Sequence, residues 1–477
     1  MKKILYIIVS MVFAIGFWSC SLDVENKDDQ NTADAFKTLK DVRNGMNGAY
    51  NALGGYYFLG NYAVAIGDMC AGVSAGNSST GHFYAFSNFS FSDTEGELEN
   101  VWGAGFQIID RTTRAIKGGK ALLANGTIAS DGDKATLNSY LGQCYALKAL
   151  ANYYLVNLFA LPYSDANKSS LGLPIVKDEP VEVLKNVQRS TVEETYAQIV
   201  SDLTASETAF TAAGDAAESS AYYLGVMGLK ALQARVYMSL GKYAEAEAAA
   251  KAAIELKGKG DGTATDVDPS NESYVNMWTS TAATSEDIFT IIKSDNDNLS
   301  ANALNTLYGS YKCTIQKTVL KLFAATPKDI RMGLLSGNHP KKFDGTSTAQ
   351  AVSNIPVFRK SEMSLIIAEC EARIGSIEQA QNYLLYTAKR NLDITKTSDL
   401  PSTTADLLTF ISNERIREFY AEGHRFYDAR RMGDIVKADM FSSWDVQKFV
   451  FPIPAAEINS GFGVTQNTNW SDNLPTK

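Results

Sequence analysis

Apolar residues recur at helical spacing along most of this chain, and polar, glycine-rich stretches separate them. Phe36, Leu39, Val42 and Met46 form one apolar stripe, which predicts a first helix over residues 34–53. The same spacing predicts later helices at residues 98–117, 137–159, 192–203 and 228–256. We therefore predict a mostly α-helical fold with a few short strands, one of them at residues 288–292.

The start of one helix is marked by a capping pattern. Ser190 and Glu193 have the three-residue spacing of a capping box, in which each side chain bonds the backbone of the other. This spacing predicts that a helix begins at about residue 192.

The most specific local pattern is a pair of helices that meet at Gly241, within residues 228–256. Ala234 and Ala246 lie where the two helices would touch, which permits close antiparallel packing. This unit resembles a tetratricopeptide repeat, and we expect a scaffold of such helix pairs. A weaker copy has the same spacing, at Ala368, Gly375 and Ala380. Chance similarity between two alanine-rich hairpins is the alternative.

Two loop-rich regions interrupt the helical pattern, at about residues 54–97 and 257–355. Loops of this length on a helical scaffold are usually disordered or functional, and aromatic residues argue against a purely disordered linker. The first region carries Phe83, Tyr84 and Phe86, and the second carries Tyr274, Trp278, Tyr308 and Tyr311. Each ring could bind a ligand or could be part of the core.

The densest concentration of charge lies in residues 414–433, ERIREFYAEGHRFYDARRMG, which we call the charged segment. Glutamates recur there every four residues, and helical spacing pairs Arg417, Arg425 and Arg431 with Glu414, Glu422 and Asp428. Arginine suits buried carboxylates because its planar fork bonds them in pairs. We interpret the segment as a structural ion network, with a catalytic carboxylate cluster as the alternative.

Composition excludes several other classes of protein. The formal charge of −9 gives no electrostatic footprint for nucleic-acid binding. The histidines are dispersed and form no ligand pattern with cysteines, so we expect neither a metal nor a cofactor. No serine, histidine or cysteine motif of a known catalytic class is present, and we expect no catalytic residues.

The amino terminus predicts export and lipidation. Lys2 and Lys3 precede an apolar run that ends shortly before Cys20, the pattern of a signal peptide over residues 1–19. The cysteine after a small residue resembles a bacterial lipoprotein cleavage site, so we expect Cys20 to be acylated. Residues 20–33 are rich in acids and predict a flexible, lipid-anchored tether. An ordinary signal peptide with an unrelated cysteine nearby is the alternative.

Several segments, taken in order, resemble the SusD/RagB family of Bacteroidetes outer-membrane lipoproteins. They cover nearly all of residues 34–477, which we treat as a single domain. They are NGMNGAYNAL (44–53), GQCYALKALANYYLVNLFALPY (142–163), RSTVEETYAQIVSDL (189–203), the repeat at 228–256, the charged segment, and FPIPAAEINSGFGVTQNTNW (451–470). The resemblance implies a helical scaffold with a loop-rich ligand-binding face.

The resemblance also implies a function. Family members bind oligosaccharides or peptides at the cell surface without cleaving them, and they partner a SusC-like TonB-dependent transporter in the outer membrane. It places Asp68 and the loop with Phe83, Tyr84 and Phe86 on one flank of the ligand face. Tyr274, Trp278, Tyr308 and Tyr311 are expected on the other flank.

Two other functions fit parts of the sequence. A tetratricopeptide-type adaptor would bind a protein partner through its helical groove, but the aromatic loops argue against it. A surface glycoside hydrolase would need two carboxylates across a cleft, and the sequence isolates no such pair. We therefore expect a nutrient-binding protein rather than an enzyme.

Overall fold

A computed structural model of the chain describes residues 35–182, 184–258, 273–344 and 352–477. The predicted signal peptide, the acidic tether and the lipidation site Cys20 lie outside these residues. No helix in the described ranges combines the length and the apolar character that crossing a membrane requires.

The described residues form sixteen α-helices and eight short strands, which confirms the prediction of a mostly helical fold. The longer helices are α1 (Leu39–Leu53), α2 (Tyr62–Cys70), α4 (Gly96–Ala124), α5 (Asp131–Phe159), α6 (Val192–Ala213), α7 (Val226–Ser239), α8 (Tyr243–Lys257), α11 (Lys317–Ala324), α12 (Lys360–Ile374), α13 (Ile377–Ala388), α14 (Thr404–Phe419) and α15 (Arg425–Met432). Four helices are shorter: α3 (Tyr84–Ser87), α9 (Ser273–Asn276), α10 (Leu304–Tyr308) and α16 (Ala455–Asn459).

The strands make four antiparallel pairs in the described part of the chain. The longest pair joins β2 (Asp287–Ile291), at the predicted position, to β6 (Ile355–Arg359). The other strands have two residues each: β1 (Ser74–Ala75), β3 (Thr314–Ile315), β4 (Leu335–Ser336), β5 (His339–Pro340), β7 (Ile435–Val436) and β8 (Trp444–Asp445). They fasten loops to one another and do not build a sheet core.

Helix α5 forms the centre of the amino-terminal half. Almost every side chain from Leu137 to Phe159 is buried, because α1, α4 and α6 pack around it. Gly142 lets α6 approach closely, since a Cβ there would lie 2.7 Å from the Phe210 ring. A glycine at this contact allows α5 and α6 to pack tightly.

The capping box of α6 lies one residue later than predicted. Thr191 accepts a hydrogen bond from the Glu194 N–H at 3.1 Å, and the Glu194 carboxylate accepts one from the Thr191 N–H at 2.8 Å. Thr191 rather than Ser190 directly precedes the first helical residue, and the Ser190 hydroxyl donates to the Leu173 carbonyl at 2.6 Å. The helix start is therefore right, whereas the assignment of Ser190 and Glu193 is wrong.

Both tetratricopeptide-like hairpins form. Helices α7 and α8 meet at Gly241, whose φ of +68° is left-handed, and Ala234 and Ala246 are fully buried between them. Helices α12 and α13 make the second hairpin, with Ala368 and Ala380 buried in the same way. Helix α8 packs directly on α12, so the two hairpins are neighbours despite their separation in sequence.

Candidate ligand-binding site

The two aromatic loop regions meet through the pair of strands β1 and β3, with Ser74 opposite Ile315. Gln316 fastens this pair. Its backbone N–H donates to the Val73 carbonyl at 2.8 Å, and its side-chain amide donates to the Ser74 carbonyl at 2.7 Å. The two predicted flanks of a ligand face are thereby held side by side.

Beyond the strand pair, a ring from each loop region stacks on the other. The His82 and Tyr311 rings lie 3.6 Å apart between centroids and only 13° from parallel. Thr80 donates a hydrogen bond to the Tyr311 carbonyl at 3.1 Å, and Asn77 donates one to the Lys312 carbonyl at 3.2 Å. Both rings are half-buried, so the stack presents part of its aromatic surface to solvent.

The first loop folds back tightly to place these rings. A Cβ at Gly76 would lie 2.4 Å from the Phe83 carbonyl group, so only glycine allows this approach. Phe83 itself has a left-handed φ of +50°, which turns the chain into helix α3. As a result Phe83 points into the core and the next residue, Tyr84, is 41% exposed. We call His82, Tyr84 and Tyr311 the loop face.

Six of the eight residues that the sequence places on the ligand face are buried. They are Asp68, Phe83, Phe86, Tyr274, Trp278 and Tyr308, each at most 5% exposed. Tyr84 and Tyr311 are the two that solvent reaches. In this structure the buried rings support the loops from beneath and offer no surface to a ligand. The loop face therefore consists of two of the predicted residues, Tyr84 and Tyr311, together with His82.

A cluster of tyrosines that sequence reasoning missed lies beside the loop face. Tyr56, Tyr57 and Tyr62 have ring centroids 3.9 to 5.8 Å apart, and Tyr57 is 39% exposed. Tyr62 also meets the Phe83 ring edge-on at 5.5 Å, which connects this tyrosine cluster to the loop face. The signal was present in the sequence, as two consecutive tyrosines directly after the Gly54-Gly55 helix end.

One carboxylate lies close to both groups of rings. Burial raises the pKa of Glu97, the neighbouring Glu95 charge adds to the effect, and His82 opposes it. Burial also raises the pKa of Tyr62 to about 12, with a further contribution from the Glu97 charge. Glu97 is therefore within electrostatic range of His82 and Tyr62.

Asp68, predicted on the ligand face, instead connects helix α2 to the charged segment. Its Oδ2 accepts a hydrogen bond from the Gly423 N–H at 3.1 Å, whereas its Oδ1 has no hydrogen-bond partner among the described residues. Burial raises the pKa of Asp68 to about 8, although the Gly423 N–H and Lys342 oppose the shift. The folded protein thus holds the Asp68 proton more tightly than the unfolded chain does.

We expect the Asp68→Asn variant to be more stable than the wild type at pH 8.5, by roughly 2 kcal/mol. Each unit of pKa difference is worth about 1.4 kcal/mol, and the new buried amide offsets part of the gain. The Asp68 contribution is present at low pH and is lost as the pH rises from about 4 to about 8. Urea unfolding at pH 5 and pH 8.5 measures the difference, with the exposed Asp215→Asn as control. Equal destabilisation at both pH values would contradict the prediction.

The charged segment is a structural ion network, as predicted. Arg417 bonds Glu414 at 3.0 Å, and Arg431 bonds Asp428 at 2.8 Å. Further cations reach the carboxylates from other parts of the chain. Among the described residues, the network sets five cations against five carboxylates: Arg331, Lys342, Arg359, Arg390 and Arg417 against Glu286, Asp329, Glu414, Glu418 and Glu422. All ten side chains are at most 7% exposed, so no substrate reaches these carboxylates.

One predicted pair in the charged segment is wrong. Arg425 bonds Asp434 at 2.8 Å and does not pair with Glu422. Helix α14 ends at Phe419, and the following turn has a left-handed φ of +63° at Ala421. This turn directs Glu422 toward Lys342 and Arg359, at 2.6 and 2.9 Å, because helical spacing no longer applies there.

The fold is a scaffold of helical hairpins, and its loops carry a partly exposed aromatic face. The chain belongs to the SusD family. The SusD family model matches residues 329–442, and a second model, described as starch-binding and associating with the outer membrane, matches residues 22–238.

Solved structures agree with this assignment. A SusD superfamily protein from Bacteroides vulgatus is 27% identical, with a TM-score of 0.79 over 91% of this chain and 100% of that one. A putative sugar binding protein from the same organism is 25% identical, with a TM-score of 0.80 over 91% and 99%. A SusD superfamily protein from Bacteroides thetaiotaomicron, 24% identical, has the same fold, with a TM-score of 0.77 over 91% and 100%. No curated protein matches the chain.

Proposed function

We propose that this protein binds an oligosaccharide at the loop face and delivers it to a SusC-like TonB-dependent transporter of the outer membrane. The observation that carries the proposal is the His82–Tyr311 stack, which joins the two loop regions into one exposed aromatic surface. Sugar rings present C–H faces that pack on aromatic rings, while carboxylates and amides bond their hydroxyl groups. Glu97 and Asn77 lie next to the rings and can provide those bonds.

A glycan is favoured over a peptide as the ligand. A matching family model is described as starch-binding, and a structural neighbour is named a putative sugar binding protein. The half-buried rings of the loop face offer stacking surfaces of the kind that sugars use. Peptide binding remains the other outcome of the test below.

We further propose that the protein is held at the outer membrane by lipid on Cys20 and faces the cell exterior. The outer-membrane association in the family description supports the location, and the lipoprotein pattern of residues 1–20 supports the anchor. The acidic residues 20–33 would then hold the binding domain away from the lipid surface.

Replacing both stacked rings, His82→Ala with Tyr311→Ala, should weaken oligosaccharide binding about 30-fold, which corresponds to roughly 2 kcal/mol. The loss is expected because both partners of the aromatic surface disappear. Isothermal titration with α-glucan, β-glucan, mannan and xylan hexasaccharides, and with a casein digest, measures it. The melting temperature should stay within about 3 °C of the wild type, since both rings are at the surface.

Tyr140→Ala, on helix α5, is the control because its ring is also half-buried but lies away from the loop face. It should leave the affinity unchanged. Full affinity in the double variant would show that the ligand binds elsewhere. Binding of the casein digest alone would replace the glycan with a peptide.

A further inference from the structure

A second surface depression lies at the Gly54-Gly55 turn, which directly precedes Tyr56 and Tyr57 of the tyrosine cluster. This groove has a volume of about 380 Å³, within the range of small-molecule sites. Three segments line it: the end of helix α1, the turn before α7, and β2 with the loop that follows. Its principal side chains are Asn51, Tyr222, Tyr223, Ile292, Lys293 and Asp297.

The groove wall is both exposed and rigid. Tyr222, Tyr223 and Ile292 are 38%, 39% and 42% exposed, an unusual concentration of large apolar side chains at the surface. Tyr223 packs edge-on against Tyr50 at 5.3 Å. The Tyr50 hydroxyl is fixed in turn, since it donates to Gln143 at 2.9 Å and accepts from the Leu224 N–H at 2.8 Å. The rings are thus held in place before any ligand arrives.

A buried ammonium group lies at the floor of this groove. Lys293 is only 6% exposed, and within the described ranges its amine makes one hydrogen bond, of 3.4 Å, to the largely exposed Asp297. An ammonium has three donors, and a buried donor without an acceptor costs free energy. Gly54 lies beside the amine, because a Cβ there would be 3.6 Å from Nζ and 2.9 Å from the Ile291 side chain. Lys293 lines the groove together with Gly54, so its amine is the charged donor nearest to a ligand that enters from this side.

The chemistry of the groove indicates the kind of ligand. Lys293 and Asp297 cancel in charge, so the groove does not select an anion or a cation. The Lys293 amine offers hydrogen-bond donors and the Asp297 carboxylate offers acceptors to ligand hydroxyl groups. The exposed side-chain amide of Asn51 adds a further donor group and a further acceptor. Tyr222 and Tyr223 supply the apolar faces. Aromatic rings beside a neutral set of donors and acceptors are complementary to uncharged sugar units.

We propose that this groove is a second glycan-binding site, which takes neutral sugar units of the same oligosaccharide class as the loop face. The inference rests on the proposed function, because it assumes that the protein binds glycans. The tyrosine cluster lies between the two sites, since Tyr56 directly follows Gly55 and Tyr62 contacts Phe83. A protein with two sites can hold one long chain at two points and gain affinity through effective concentration.

Counting bound trisaccharides tests the inference. Native mass spectrometry and isothermal titration with maltotriose, cellotriose, mannotriose and xylotriose should show two bound molecules of one sugar type per wild-type chain. Lys293→Met and Asn51→Ala should each weaken the groove site about tenfold and leave the loop face intact. Asn51→Ala changes an exposed side chain in a helix, so it should fold normally. The His82→Ala, Tyr311→Ala double variant should do the reverse.

The outcomes separate the two proposals. One bound trisaccharide that survives both groove variants would overturn the second site and leave the proposed function standing. One bound trisaccharide that is lost in the groove variants, and kept in the loop-face variant, would support the groove and overturn the loop face. Binding of no trisaccharide and no hexasaccharide by the wild type would defeat the proposed function and the second site together.

Discussion

Replacing Glu418 with glutamine should lower the free energy of unfolding by about 3–5 kcal/mol, the usual cost of breaking a buried ion pair. Glu418 is fully buried and bonds Arg359 at 2.9 Å, and Arg331 and Arg390 both at 3.1 Å. Its oxygen also accepts a hydrogen bond from Tyr274 at 2.9 Å. Among the described residues the network pairs five cations with five carboxylates, so the glutamine would leave it with one uncompensated positive charge, although each arginine keeps another carboxylate partner.

Urea unfolding at neutral pH measures this loss, and Glu255→Gln on the exposed surface of α8 is the matched control. The pH dependence gives a second readout. Burial alone would raise the pKa of Glu414, but Arg331 and Arg417 more than offset it and lower the pKa to about 2. Burial opposes a fall in the pKa of Glu418 as well, and Arg390, Arg359 and Arg331 lower it nevertheless.

Lowered pKa values mean that both carboxylates stabilise the fold above about pH 4.5 and lose that contribution as the pH falls toward 2. The Glu418→Gln variant should therefore show a shallower decline of stability over this range than the wild type. An unchanged acid profile, together with normal stability at neutral pH, would show that the arginines are solvated and the network is dispensable.

Replacing Trp278 with alanine should cost about 3–5 kcal/mol of stability, the range for truncating a buried aromatic ring, and should not change glycan affinity. Trp278 is 5% exposed. Its ring lies 4.9 Å from the Lys342 amine and 5.4 Å from the Arg359 guanidinium, and it meets Phe343 edge-on at 5.9 Å. The cation–π contacts add to the cost because both cations are desolvated.

The Trp278→Phe variant is the comparison for Trp278→Ala, because it keeps an aromatic face beside Lys342 and Arg359. It should recover more than half of the stability that Trp278→Ala loses. Thermal and urea unfolding give the stability, and titration with the hexasaccharide panel gives the affinity. Normal unfolding with lost binding would restore Trp278 to the ligand face, where the sequence had placed it.

The scaffold could be predicted from the sequence because helices have a period that apolar residues reveal. Ala234, Gly241 and Ala246 identified a hairpin, and the weaker copy at Gly375 identified its neighbour. The contact between α8 and α12 could not be predicted, since no local pattern says which distant helices touch. The same limit applies to the ion network. Its glutamates were visible in one segment, whereas Arg331, Arg359 and Arg390 reach them only through the fold.

The direction of aromatic side chains in loops was beyond prediction for a related reason. An irregular loop has no period, so neighbouring residues cannot be assigned to an inner and an outer face. Phe83 and Tyr84 are adjacent, yet one is 2% and the other 41% exposed. The left-handed φ at Phe83 decides between them, and a phenylalanine gives no hint of that conformation. Most of the rings that the sequence places on the ligand face are buried and support the core.

The joint between β1 and β3 has a consequence for how such proteins acquire new specificities. The joint pairs two residues of each loop region, and Gln316, which directly follows β3, secures it. Residues 77–82, beyond the joint, contact the second loop region through Asn77, Thr80 and His82, and surface loops can change in length at low entropic cost. Insertions or substitutions there would remodel recognition while the helical scaffold stays unaltered. If the loop face binds the ligand, changes at a few surface positions would be enough to alter specificity.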